Sequence, residues 1–197
     1  DYIITEDLSE RQERYPLNGR RQAICMINGN KRSSAPGELY SKRLEAALWF
    51  YLNSGIAFHV YGFIPFLLPN YKGQIPNNSK LHALAQYKYS LCFENTGHPL
   101  FARGYIDKIL DSLETRTLPI YLGCPNIGDY IPATCFIDFR NFKDYRELDR
   151  YLRGMSRNEY GQYIENIDDW VNAGGLRPYS WYPLYDDLVR YCARQNS

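Results

Sequence analysis

The sequence predicts an α/β fold in which a mainly parallel sheet is covered by helices on both faces. Short apolar runs typical of buried strands alternate along the chain with stripes of apolar residues at helical spacing. The 197 residues, 45% of them hydrophobic, suit one domain with a substantial core. Polar and helix-breaking residues predict a linker or N-terminal extension over residues 1–22, and residues 23–197 are predicted to form the domain with its C-terminal helices.

The predicted strands are apolar runs rich in β-branched and aromatic residues. They are Ala23–Asn28, Ala57–Tyr61, Tyr89–Phe93, Leu118–Leu122 and Cys135–Asp138. Helical periodicity predicts the remaining elements. These helices span roughly residues 36–53 with Ser34 as N-cap, 80–86, the stripe Ile106–Leu113, the stripe Tyr145–Leu152, 157–171 and 184–193.

The charges and cysteines exclude several classes of function. The 23 basic and 22 acidic residues leave a net charge of +1, which does not support a broad nucleic-acid surface. The five cysteines are scattered without metal-ligand spacing, so we expect buried, reduced thiols and no metal site. No apolar run approaches the length of a membrane span.

The loop after the first strand is small, polar and basic. Ligands of parallel sheets bind beyond the carboxyl ends of the strands, and small residues there let the backbone approach a phosphate. The loop contains neither GxxxxGK[ST] nor GxGxxG, so the usual nucleotide motifs do not apply. A solvated basic loop before a capped helix is the alternative. The residues of this possible phosphate loop are Asn28, Asn30, Lys31, Arg32 and Ser33.

The loop after the third strand gives a sharper signal. Glu94 and Asn95 follow the strand directly, and Arg103 and Lys108 flank the beginning of the next helix. A helix N-terminus with two cations suits a diphosphate. Tyr105 is a candidate to contact a phosphate or a ring. Asp107 is a candidate acceptor for sugar hydroxyls, and its alternative role is to complement the helix dipole.

The third loop, over residues 123–131, carries three residues typical of tight backbone turns. They are Gly123, Pro125 and Gly128. This composition fits either close backbone approach to a ligand or a tight connection between elements.

Several segments together resemble the C-terminal domain of glycosyltransferase family 10, the alpha-1,3/1,4-fucosyltransferases. They are MINGNKRSS, HVYG, YKYSLCFEN, GYIDKILDSLETRTLPIYLGCPNIGDYIP and CFIDFRNFKDYRELDRYL, which lie within Ala23–Glu165. The resemblance implies a Rossmann-like domain, the C-terminal half of a GT-B enzyme. It also implies inverting, metal-independent transfer of fucose from GDP-fucose, with no cofactor.

The resemblance also implies roles for individual residues. Arg43 and Lys108 match positions that contact the donor phosphates, and Tyr105 matches a nucleotide contact. Glu94 and Asn95 match the end of the strand at the donor site. The chain departs from the family pattern at Asp107, where the family has Glu in a segment one residue longer. Catalytic residues remain unassigned, because the general base is expected outside this chain, in a missing N-terminal domain or a partner chain.

Three functions remain open from the sequence. The leading one is the donor-binding half of a fucosyltransferase whose partners are a nucleotide sugar and a glycan acceptor, with no nucleic acid. The others are a non-catalytic nucleotide-sugar-binding module and a Rossmann-like interaction domain. Unpaired cysteines favour the cytoplasm of a bacterium, where we expect peripheral association at the inner membrane, and the Golgi lumen is the alternative.

Overall fold

A computed structural model describes residues 8–29, 31–62, 70–76, 79–98 and 106–179. The strands are β1 (Arg21–Asn28), β2 (Ala57–Gly62), β3 (Tyr87–Phe93), β4 (Leu118–Leu122) and β5 (Ile137–Asp138). The helices are α1 (Leu8–Arg14), α2 (Tyr40–Asn53), α3 (Lys80–Leu84), α4 (Asp107–Glu114), α5 (Tyr145–Gly154) and α6 (Arg157–Asn172).

The described strands form a five-stranded sheet in the order β2-β1-β3-β4-β5, and every neighbouring pair is parallel. The chain moves from β1 outward to β2, returns to β3, and then proceeds in the opposite direction to β4 and β5. The order therefore reverses between β1 and β3. In open parallel sheets a ligand crevice lies at this switch point, beyond the carboxyl ends of the two strands.

The sheet is buried on both faces, as the alternating side chains of β1 show. Ile24 and Met26 belong to the large core that includes the buried face of α2. Ala23 and Cys25 instead pack with Leu84 of α3 in a second, smaller cluster. The predicted fold class, a parallel sheet with helices on both faces, is therefore confirmed.

Residues 8–22 pack against the body of the domain, which the prediction of a linker or extension over residues 1–22 did not anticipate. Arg11 of α1 is fully buried. Its guanidinium donates to the main-chain oxygens of Leu113 and Glu114, each at 3.0 Å, and its Nη1 lies 2.9 Å from Asp168 Oδ1. Because these acceptors sit at the end of α4 and in α6, one side chain joins α1 to both helices.

Several element boundaries differ from the prediction by one or more residues, among them those of α2 and β5. Helix α2 begins at Tyr40 rather than near residue 36, and Ser34 is not its cap. The Glu38 carboxylate accepts from the main-chain nitrogens of Tyr40 and Ser41 at 2.7 and 3.1 Å instead. Cys135 ends a short 3₁₀ turn, so the last strand is only Ile137–Asp138.

One predicted helix lies outside the described residues, namely that over residues 184–193. Among the helices that are described, none has the length and apolar character that crossing a membrane requires.

Candidate functional site

The loop after β3 and the turn before α2 are joined by main-chain hydrogen bonds. Leu39 N donates to Asn95 O at 3.0 Å, and Gly97 N donates to Gly37 O at 2.9 Å. Thr96 Oγ1 donates to the same Gly37 oxygen at 3.0 Å. Gly37 has a φ of +79°, which an L residue rarely adopts. The two loops at the switch point are therefore held as one unit.

The side chain of Arg43, in α2, holds the end of β3 and the loop after it in place. Its side chain is buried, and its Nε donates to Phe93 O at 2.8 Å. Its Nη2 donates to Asn95 Oδ1 at 2.8 Å, and its guanidinium lies 4.9 Å from the ring centroid of Tyr40. Burial lowers the pKa of Arg43, but arginine remains charged in proteins. The site therefore contains a permanent positive charge with a fixed position.

Glu94 and Lys108 form a buried ion pair beside this arginine. Lys108 Nζ lies 3.1 Å from Glu94 Oε2, and Glu94 is only 1% exposed. Burial raises the pKa of Glu94, while the charges of Lys108 and Arg43 oppose that shift. Burial likewise lowers the pKa of Lys108, against the opposing charge of Glu94. Glu94 Oε1 has no hydrogen-bond partner among the described residues.

Gly123, directly after β4, leaves the space that the Glu94 side chain occupies. A Cβ at this position would lie 2.7 Å from Glu94 Cγ, 2.8 Å from Glu94 Cβ and 2.6 Å from Tyr121 Oη. That hydroxyl accepts a hydrogen bond from Cys124 N at 2.9 Å. The third loop therefore supports the ion pair through close packing. The signal for this role in the sequence is weak, because it is only a glycine at a strand end.

Two cations and one carboxylate meet where β3 ends and α4 begins. Lys108 is the second residue of α4, so its ammonium group adds to the partial positive charge of the helix N-terminus. The sum favours an anion with two or more negative charges. The structure thus brings together four of the predicted site residues, namely Arg43, Glu94, Asn95 and Lys108.

Other predicted residues lie apart from this cluster. Lys31, Arg32 and Ser33 are exposed in irregular backbone, and no hydrogen bond or ion pair among the described residues joins them to it. Asn28 ends β1, and its Oδ1 is buried without a partner within the described part of the chain. Asp107 is an exposed first residue of α4, and its charge contributes to raising the pKa of Glu94.

Three predicted residues, Asn30, Arg103 and Tyr105, lie outside the residues that the structure describes. Two supporting residues were not predicted, because their roles depend on tertiary contacts. They are Tyr40, against which Arg43 lies, and Tyr121, whose hydroxyl is close to Gly123. Among the described residues, no group of three or more His, Cys, Asp or Glu side chains is placed to hold a metal ion.

A parallel sheet with a basic cluster at its switch point defines a Rossmann-like domain of the kind found in GT-B glycosyltransferases. Comparison with known proteins makes the assignment specific. The family model described as glycosyltransferase family 10 (fucosyltransferase), C-terminal, matches residues 21–181. The chain therefore belongs to glycosyltransferase family 10, as the sequence motifs predicted.

Similar proteins agree with this assignment. An alpha-(1,3)-fucosyltransferase from Helicobacter pylori is 36% identical over 76 residues, which are 38% of this chain and 15% of that enzyme. A solved alpha1,3-fucosyltransferase is 26% identical with a TM-score of 0.55, covering 73% of this chain and 37% of that one. A structure of alpha1,3-fucosyltransferase with GDP is 25% identical with a TM-score of 0.56, covering 78% and 44%. The matched region is thus less than half the length of each of these relatives.

Proposed function

We propose that this chain is the donor-binding domain of a fucosyltransferase and takes GDP-fucose as its donor substrate. One observation carries the proposal. The buried Arg43 and Glu94 and the half-buried Asn95 and Lys108 form a cluster where β3 ends and α4 begins. A nucleotide diphosphate places two phosphates together, and a fixed guanidinium beside an ammonium group suits that spacing of charge.

The cluster would act on the leaving group of an inverting transfer. An acceptor hydroxyl, deprotonated by a carboxylate, attacks the anomeric carbon of fucose from the face opposite GDP. The bond to the β-phosphate breaks, and negative charge develops on the departing diphosphate. Arg43 and Lys108 would stabilise that charge, and Arg43 is already held in place by its hydrogen bonds to the protein, which lowers the barrier more than a charge that must first reorganise.

The remaining predicted residues receive narrower roles. Asn95 already accepts from Arg43 through Oδ1, which leaves its amide N–H groups to donate to the donor. Asp107 projects from the exposed start of α4 and would accept from sugar hydroxyls. Arg103 and Tyr105 precede α4 in the sequence and would contact the phosphates and the nucleotide. Lys31, Arg32 and Ser33 are exposed, so any phosphate contact from that loop would require it to move.

The general base and the acceptor site are proposed to lie outside these residues, in an N-terminal domain or a partner chain. The acceptor would be a glycan hydroxyl. We also propose that transfer needs no metal or other cofactor and no nucleic acid. A bacterial cytoplasmic location with peripheral contact to the inner membrane remains a proposal, with the Golgi lumen as its alternative.

Calorimetric titration with GDP and with GDP-fucose tests the donor site directly. We expect both ligands to bind, and the proposal fails if neither binds at millimolar concentration. Lys108→Ala should weaken GDP binding by about 10- to 100-fold, because a charge-assisted hydrogen bond contributes about 1.5–3 kcal/mol.

Lys88→Ala is the matched control for this charge removal. Lys88 is the second residue of β3, so it lies at the opposite end of this strand from the cluster. Its Nζ lies 5.0 Å from the centroid of the Tyr160 ring. Affinity for GDP should change less than about twofold in this variant. Lys80 is unsuitable as a control because it pairs with the buried Asp111.

A non-catalytic nucleotide-sugar-binding module is the second candidate. It is favoured by the segment before Lys108, where Asp107 replaces the longer family glutamate. Transfer of radiolabelled fucose by the longest natural form of the chain separates the two candidates. Binding of GDP-fucose without any transfer by that form would support the module.

A further inference from the structure

We propose that Glu94 is a displaceable counter-ion, which gives up Lys108 to the donor diphosphate and takes up a proton when the donor binds. The inference rests on the proposed donor site. It concerns the charge balance of that site rather than the identity of its ligand, so the role of Glu94 can be disproved while the donor site stands.

The geometry of Glu94 places its charge in an unusual position. The residue is 1% exposed, its Oε2 lies 3.1 Å from Lys108 Nζ, and its Oε1 has no partner among the described residues. A buried carboxylate in this position depends on nearby positive charge to remain ionised. Arg43 is already committed to Phe93 O and Asn95 Oδ1, so Lys108 supplies the direct contact.

The ammonium group of Lys108 is the part of this pair that can move. Its side chain is 19% exposed, in contrast to the 1% of Glu94. It carries three N–H donors on a flexible chain, whereas the Arg43 guanidinium is planar and held at two points. A diphosphate arriving at the start of α4 would draw the ammonium toward itself and away from the carboxylate.

Donor binding would therefore leave Glu94 buried next to two phosphate charges. Loss of its partner and repulsion by those charges both favour the neutral carboxylic acid. The Glu94 carboxylate takes one proton from the buffer and becomes a carboxylic acid, while Lys108 remains an ammonium ion. No bond of the donor forms or breaks in this step.

Among the described residues, the other titratable groups around Glu94 are poor candidates for that proton. They are Arg43 from α2, Cys92 from β3, Asp107 and Lys108 from α4, Tyr121 from β4, and Cys124 from the loop that follows. Burial raises the pKa of Cys92 to about 12 and also raises the pKa values of Tyr121 and Cys124, so all three already hold their protons at pH 7. Asp107 is exposed to solvent, where its charge is hydrated.

The sign of the resulting pH dependence follows from linkage. The complex holds one more proton than the free protein, so affinity for the donor rises as the pH falls. The change is at most about tenfold per pH unit, because one proton is involved. Glu94→Gln cannot take up the proton and should show a flatter dependence.

Calorimetric titration with GDP-fucose in buffers of different ionisation enthalpy, at one pH near 7, measures the proton directly. Both phosphates of this donor are esterified, so they stay ionised and contribute no proton of their own. We expect the wild-type chain to take up as much as about one proton per donor bound, and Glu94→Gln to take up close to none.

Two control variants should retain the uptake. Glu45→Gln removes the carboxylate of an exposed pair, in which Glu45 lies 2.8 Å from Lys42 and is 52% exposed. His98→Gln removes the imidazole in the loop after β3.

Infrared difference spectra of the wild-type chain give a readout that needs no variant. Donor binding should produce the C=O stretching band of a protonated carboxyl group. Binding of GDP-fucose without proton uptake, or without that band, overturns this proposal and leaves the donor site intact. Absence of binding overturns both.

Discussion

Replacing Gly123 by alanine tests whether close packing holds Glu94 against Lys108. The added Cβ would lie 2.6 Å from Tyr121 Oη, 2.7 Å from Glu94 Cγ and 2.8 Å from Glu94 Cβ. All three distances are shorter than carbon and oxygen atoms adopt in packed interiors, where contacts lie near 3.5–4.0 Å. Both neighbouring side chains are buried, so neither can turn into solvent.

The size of the stability loss depends on which atoms must move to relieve these contacts. The Cβ of Glu94 is bonded to the backbone of the β3 end, so relief of the contact requires main-chain movement of several tenths of an ångström. Overpacking of this kind costs about 1–3 kcal/mol. For a chain of this size that corresponds to a fall in Tm of about 2–12 °C. The movement would also displace Glu94 from Lys108 Nζ, so affinity for GDP should fall together with stability.

Gly128→Ala supplies the matched control within the same loop. A Cβ at Gly128 meets no atom within 4 Å, and this residue lies in the short 3₁₀ turn Ile127–Asp129. Its Tm should therefore stay close to that of the wild type. Thermal melts followed by circular dichroism and calorimetric titration with GDP would be made on all three proteins.

Equal stability and equal GDP affinity in the two alanine variants would refute the reasoning. That result would mean that the loop after β4 yields without disturbing Glu94. A loss of stability with unchanged GDP affinity would support the close packing of Gly123 against Glu94 but would contradict its effect on GDP binding.

Three further predictions concern the rest of the chain. Arg11→Leu should lower the free energy of unfolding by about 3–5 kcal/mol in urea titrations, because it leaves the main-chain oxygens of Leu113 and Glu114 without their donor and takes one cation from Asp168. Arg14→Leu, at an exposed position of the same helix, should stay within about 0.5 kcal/mol, and similar values for the two variants would contradict the anchoring role. Burial raises the pKa of Glu114 from 4.5 to about 7. The free energy of unfolding of the wild type should therefore fall by about 3 kcal/mol as the pH rises from 4.5 to 7, since the folded chain keeps a proton that the unfolded chain releases. Glu114→Gln should remove this fall, and equal pH profiles for the two proteins would contradict the raised pKa of Glu114. Four cysteine thiols in the described part of the chain are buried with raised pKa values, so they should react with a thiol reagent far more slowly in native than in urea-unfolded protein, and rapid native reaction of more than one cysteine would argue against this. The four are Cys25, Cys92, Cys124 and Cys135.

Sequence reasoning recovered the sheet well because each strand is a short apolar run, and a buried parallel strand needs little more. It failed at α1, where the segment LSERQER has no apolar stripe. This helix is anchored by Arg11, and hydrophobic periodicity cannot reveal a buried charge. The beginning of α2 was misplaced for a related reason. Ser34 is a good cap by residue type, but the turn at Gly37 and its bonds to Thr96 and Gly97 place Glu38 at the helix start.

The candidate site was predictable to the extent that its residues follow strands or begin helices. Glu94, Asn95 and Lys108 occupy such positions and do lie together. Arg43 lies one turn inside α2, and its bonds to Phe93 and Asn95 are contacts between residues 50 and 52 positions apart. Contacts over that separation depend on the folded sheet. The sequence could therefore suggest that Arg43 contacts a phosphate, but it could not predict that Arg43 holds Phe93 and Asn95 in place.

The two cations of the site therefore differ in mobility, and this difference affects how each could stabilise a bound diphosphate. Arg43 donates to Phe93 O through Nε and to Asn95 Oδ1 through Nη2, so its positive charge has a fixed position and Asn95 is held in place. Among the described residues, the Lys108 ammonium has one partner, a buried carboxylate whose second oxygen has none there, and the Lys108 side chain is partly exposed. A fixed charge stabilises a developing anion without reorganisation, while the flexible Lys108 side chain can move from Glu94 to a bound phosphate. A carboxylate at this position stabilises the charge of Lys108 in the free protein, and a group that can also accept a proton loses that partner at a lower cost when the donor binds. The comparison of Glu94 with Gln therefore tests whether protonation of the buried carboxylate accompanies donor binding.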